Sequence, residues 1–185
     1  MSIHLHLTSI SDANIERLNA TPSLIWTIVS AEQCQTSAGE AVLTRRGLYR
    51  EPIYLRESLG KYWHGIHYLL CGEVWNGEFP ASFLIDGGSY VGDIDIGYGM
   101  ARTFEAAEVR SIARYLNKTH PADLAQHFDA CRMLDADVYP ALHWDQEPQA
   151  LNYCLERFQA MQHFVRHTVE NGLGMALYLQ ETQPS

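Results

Sequence analysis

The chain of 185 residues is short of basic side chains: 13 lysines and arginines face 22 aspartates and glutamates, a formal net charge of −9. A surface that neutralises many phosphates needs the opposite balance, so nucleic acid is not an expected partner. No run of about 18 apolar residues occurs, and the opening Met1 to Leu7 has neither a basic stretch nor a long apolar core. Neither a membrane span nor a secretory leader is expected, and a cytoplasmic location is. The four cysteines, Cys34, Cys71, Cys131 and Cys154, stand far apart with no Cys-x-x-Cys pair. That spacing removes zinc knuckles and thioredoxin-like motifs and fits reduced thiols. No Gly-Lys-Ser/Thr follows the glycines, Gly97-x-Gly99 lacks the third glycine of a dinucleotide fingerprint, and no Gly-x-Ser-x-Gly or His-Glu-x-x-His occurs. Nucleotide binding and hydrolysis therefore have no motif behind them, and no cofactor is expected.

What is present is the composition of an ordinary globular chain, 46% hydrophobic, 19% charged and 11% aromatic. The length favours one domain, set at residues 1–180 with 181–185 as a frayed tail. Ile3, Leu5 and Leu7 alternate with polar neighbours and predict a first strand over 2–8. Ser11 caps a short helix, and Thr21-Pro22 starts a second. Residues 34–58, with Gly39, Gly47, Pro52 and the cluster Arg45, Arg46, Arg50, read as an irregular connection. Leu59 to Cys71 is apolar nearly all round and ends at Gly72, which predicts a buried helix with a left-handed cap. Between Asp86 and Gly99 five of fourteen residues are glycine, favouring tight turns and bulged strands. Helices follow over about 104–117, from Pro121 through Cys131, and from Pro148 to Asn171-Gly172, and Met175 to Leu179 reads as a closing strand. The fold class is α+β: one small mixed sheet with strands near both termini, packed against several helices.

Lys61-Tyr62-Trp63-His64-Gly65-Ile66-His67-Tyr68-Leu69-Leu70-Cys71-Gly72, together with Gly97-Tyr98-Gly99-Met100-Ala101-Arg102 and the helix after it, resembles the YfbM-like family of bacterial proteins, a domain of unknown function (DUF1877). Tyr139-Pro140 and the long last helix with its closing strand extend the resemblance over nearly the whole chain. It implies a stand-alone α+β domain and brings no catalytic residues. Cys71 departs from the family pattern, where threonine is expected.

Three constellations carry chemistry. At about 100° per residue His64, His67 and Cys71 share a 60° arc of one helix, a spacing a metal can use. On an apolar helix such histidines more often bond a backbone carbonyl and such a cysteine packs as a small hydrophobe, so no metal is expected. His163 and His167 are four apart but point away from the apolar stripe of their helix, which makes theirs a solvated face. Asp93 and Asp95 flank one residue and share a strand face, and with Tyr98 and Arg102 near in sequence they can form a small polar pocket in which Arg102, at the start of the next helix, pairs with a carboxylate. Trp75 and Trp144 lie in polar stretches and are candidate interface anchors.

Two functions fit. The first is a cytoplasmic binding protein whose acidic surface recognises a basic protein partner, a toxin to be neutralised among them. The second is a small-molecule-binding protein or enzyme whose pocket gathers His64, His67, Asp93, Asp95, Tyr98 and Arg102.

Overall fold

The computed structural model describes residues 2–30, 47–49, 54–140, 144–146 and 148–182. β1 (Ser2–Ile10) and β5 (Gly174–Thr182) pair along their whole lengths, Leu5 opposite Leu179 and Leu7 opposite Leu177. β2 (Arg56–Gly60) adds to the free side of β1, and β4 (Met100–Phe104) then β3 (Ser89–Asp95) add to β5. The α+β class and the strands at both ends stand as the sequence predicts. The sheet, however, is antiparallel at every pairing rather than mixed.

Period-two alternation assigns the faces of this sheet. Leu5, Leu7, Phe104, Met175 and Leu177 pack into a large core with α3 (Trp63–Cys71), α4 (Ala106–Leu116), α5 (Pro121–His127), α6 (Ala130–Asp135) and α7 (Ala150–Glu170). Ile10, Ala101, Ala176 and Tyr178 face the other way, against α1 (Asp12–Ala20), the single turn Pro22–Leu24 and α2 (Ile25–Val29). Helix starts follow the local chemistry. Ser11 Oγ accepts from Asn14 N, and Glu105 and Glu108 close a reciprocal capping box on α4. α3 ends on Gly72, at φ 71°, as its sequence requires.

Four expectations shift. Leu59 and Gly60 belong to β2, so the buried helix opens at Trp63. Arg102 stands in the middle of β4, because Arg-Thr-Phe continues an extended ladder opposite β5 and α4 begins only at Ala106. The helix from Pro121 is two pieces broken at Phe128-Asp129, where Asp129 caps α6 by accepting from Arg132 N. β5 runs to Thr182, taking Glu181 and Thr182 out of the expected tail. Most of the 34–58 connection, with Cys34, Gly39, Arg45, Arg46, Arg50 and Pro52, lies outside the described residues. Among the described residues no helix is long and apolar enough to cross a membrane.

Candidate functional site

On the large-core side α4 packs against β4 and β5, and the chain from Gly72 to Gly88, which leaves α3 and returns to start β3, roofs the part of the sheet around Arg102. Side chains on both of its flanks hold this loop through its backbone carbonyls. From α3, His64 Nε2 donates to Val74 O at 2.7 Å and His67 Nε2 donates to Asn76 O at 3.1 Å. From β4, the Arg102 guanidinium donates to Leu84 O at 2.7 Å and to Gly87 O at 3.0 Å.

The partners on the other ring nitrogens settle the histidine protonation. His64 Nδ1 accepts from Tyr139 N at 3.0 Å, so the ring is the neutral Nε2–H form. His67 Nδ1 faces the Cys71 thiol at 3.7 Å, which completes the same pattern. Burial lowers the His64 pKa. Burial, then the nearby His64, brings that of His67 down to about 4, with Arg102 adding to the effect. Burial, helped by Glu73, raises the Cys71 thiol to about 11, far from the thiolate a metal or a nucleophilic role needs. The three residues share one helical arc, as their spacing predicts, but their polar atoms are spent on the loop, on Tyr139 N and on each other. Among the described residues no three His, Cys, Asp or Glu side chains gather as metal ligands do.

Asp93 and Asp95 do not meet Arg102. Asp95 Oδ1 accepts from Gly97 N and Gly99 N, at 2.8 and 3.1 Å, and so shapes the β3–β4 turn, while Asp93 is exposed. Arg102 sits opposite Tyr90 on β3 and Leu177 on β5, and its side chain turns into the core side, 5% exposed. There it lies 5.5 Å from the Phe104 ring centroid and has no carboxylate within 4.0 Å among the described residues. Burial lowers its pKa to about 10, partly offset by Tyr90 and Asp86, so it is still a cation at neutral pH.

Between roof and sheet lies a cavity of about 260 Å³. Arg102, Leu84, Ile85, Trp63, Leu177 and Leu179 line it, and Trp75, Tyr90, Tyr98 and Met100 complete its wall. These last four are large apolar side chains left exposed, Trp75 by 60% and Tyr90 by 57%. Trp75 stands on the roof with its ring 4.2 Å from that of His64, so the imidazole that ties the loop also seats the tryptophan. Tyr98 reaches the mouth from the β3–β4 turn, on the side of the Glu181 carboxylate. Desolvation and that carboxylate raise its phenol pKa. Trp144, the other candidate anchor, is buried 3% exposed, donating to Val138 O at 2.7 Å and filling the space a side chain on Gly65 would need.

The family model for the domain of unknown function DUF1877 matches residues 1–178, ending within β5. The chain belongs to the DUF1877 family. Among solved structures this DUF1877 chain is similar to the crystal structure of YfbM from Escherichia coli, a protein of unknown function. The TM-score is 0.69 at 15% identity, with 96% of this chain and 99% of YfbM covered, a likeness that shows the shared fold. No curated protein matches.

Of the six residues the sequence singles out in this DUF1877 chain, only Tyr98 and Arg102 line the cavity, and His64 and His67 act one layer behind by anchoring its roof. Trp75, a candidate interface anchor from its sequence, stands on the cavity wall, whereas Trp63, Tyr90 and Met100 have no place among the sequence candidates. Tyr90 carried one usable signal, since it lies next to buried Val91 on an edge strand and is large, aromatic and exposed. Chemically the described residues of the site offer a fixed buried cation and flat apolar walls.

Proposed function

We propose that this protein binds a small organic acid, holding the acid group on Arg102 and a flat apolar body between Trp75, Tyr90 and the leucines beneath. One observation carries this reading. A guanidinium has five N–H donors, Arg102 places two on Leu84 O and Gly87 O, and the remaining three have no acceptor among the described residues although the side chain is 5% exposed. Buried charges are ordinarily paired, and a planar donor set at the base of an aromatic cleft matches a carboxylate in bidentate geometry. The test is calorimetry and thermal shift with benzoate, 3-phenylpropionate and indole-3-acetate against their amides. The acids should bind and raise the melting temperature, by the stabilisation any ligand of the folded state confers, and the amides should not. Acids that leave the melting curve unmoved, or amides that bind equally well, overturn the reading.

A second reading, recognition of a basic protein, draws on the net charge of −9 and on the exposed rings of Trp75 and Tyr90. Its mark is an association rate that falls steeply with added salt.

A further inference from the structure

The cleft has two differently charged ends. Arg102 is opposite Leu177 in the β4–β5 ladder. Tyr98, on the β3–β4 turn, lines the cavity at its other end, and the Glu181 carboxylate is near enough to it to raise its phenol pKa. On β5 the residues Leu177, Leu179 and Glu181 alternate onto one face, the face Arg102 shares, so four residues of strand, roughly 13 Å, separate the level of the guanidinium from that of the carboxylate. Leu177 and Leu179 line the cavity between them, and Tyr98 spans its mouth. Glu181 is exposed. It pairs with Ile3 across β1, where Tyr139 Oη accepts from Ile3 N at 2.8 Å, which holds this end of the sheet firm.

Resting on the organic-acid reading above, we infer that the ligand is amphoteric: a carboxylate bound by Arg102, an apolar middle over Leu177 and Leu179, and a protonated amine or amidine reaching the Tyr98–Glu181 end. An amino group there gains the Glu181 carboxylate as an ion pair and the Tyr98 phenolic oxygen as an acceptor. A plain acid of the same length leaves both facing water. The length requirement follows from the strand geometry. A spacer that leaves the two charges much closer than the span between Arg102 and Glu181 cannot satisfy both ends at once.

The probes are 4-(4-aminobutyl)benzoate and 4-pentylbenzoate, which are matched in size and differ in the terminal ammonium, with 4-(aminomethyl)benzoate as the short control. Binding is measured by calorimetry on the wild-type chain and on Glu181→Gln, a substitution at an exposed position that leaves Arg102 and the roof untouched. The aminobutyl acid should bind about fivefold more tightly than the pentyl acid, the scale of a solvent-exposed ion pair. That preference should vanish in Glu181→Gln and shrink in high salt, and the aminomethyl acid should show none. If both long probes bind equally, or if the preference survives in Glu181→Gln, the amphoteric inference fails while the organic-acid reading stands. If neither long probe binds, both fail.

Discussion

Acidification from pH 7.5 to 5 should cost this protein stability through His67 in an amount the structure sets. The ring is fully buried, donates to Asn76 O, and has its pKa held at about 4, against an ordinary value of 6.5. Because the folded value is the lower one, the unfolded chain takes up the proton first on acidification. The His67 contribution is therefore whole above about pH 6.5, drains as pH falls toward 4, and is flat below that. Integrating proton uptake over this window gives a loss of about 2 kcal/mol at pH 5 and about 3 kcal/mol at pH 4. The assay is urea unfolding at fixed pH for the wild type and for His67→Gln, whose amide nitrogen can keep the bond to Asn76 O but cannot titrate. His64, also lowered, remains in both proteins and drops out of the difference. Wild type should lose about 2 kcal/mol more than the variant between pH 7.5 and 5. An independent reading comes from the nitrogen shifts of His67, which should stay in the neutral Nε2–H form down to about pH 4. Parallel stability curves for the two proteins, or an imidazole that titrates near 6.5, would refute the argument that this ring is a dry tether.

Other outcomes follow from single residues. Trp63, buried on the cleft wall with its Nε1 donating to Ile3 O at 3.2 Å, should cost about 3–5 kcal/mol on truncation to alanine in denaturant titration; a cost below about 1 kcal/mol would contradict its place in the core. Iodoacetamide at pH 8 should label exposed Cys131 well before Cys71, whose thiol is pushed up to about 11, and peptide mapping that finds the two equally fast would deny the dry setting of Cys71. Asp95→Ala removes the acceptor for Gly97 N and Gly99 N and should destabilise by about 1 kcal/mol, with amide exchange quickening at the β3–β4 turn and unchanged in α7.

The sequence was most legible where one local rule decided the outcome. Ile3, Leu5 and Leu7 needed only period-two alternation to become a half-buried strand, and Gly72 needed only its freedom at positive φ to end α3. His64 and His67 bond backbone carbonyls, as an apolar helix favours since it leaves an imidazole no water to bond, and they do not line the cavity in which the pocket reading gathers them. Arg102 was misread because sequence nearness to Asp93 and Asp95 suggested an ion pair, whereas β4 sends the guanidinium to one face of the sheet and the turn uses Asp95 for its own amides. The cleft itself was invisible. Trp63, Trp75, Tyr90 and Leu177 come from a helix, a loop and two strands, and only the order β1-β5-β4-β3 brings them together. No window along the chain contains that information, since it depends on which strands become neighbours.

The Gly72 to Gly88 roof is hung like a hammock, with α3 as one post and β4 as the other, and the four knots are backbone carbonyls of Val74, Asn76, Leu84 and Gly87. A knot made on a carbonyl is indifferent to the side chain of the residue that supplies it. The fabric can therefore be rewoven while the posts stay fixed: Trp75, 60% exposed and hanging between two knots, is open to exchange for a smaller, larger or charged residue without disturbing the suspension. In such a design Arg102 serves both guest and host, while the aromatic wall that faces the guest can vary without loss of a knot.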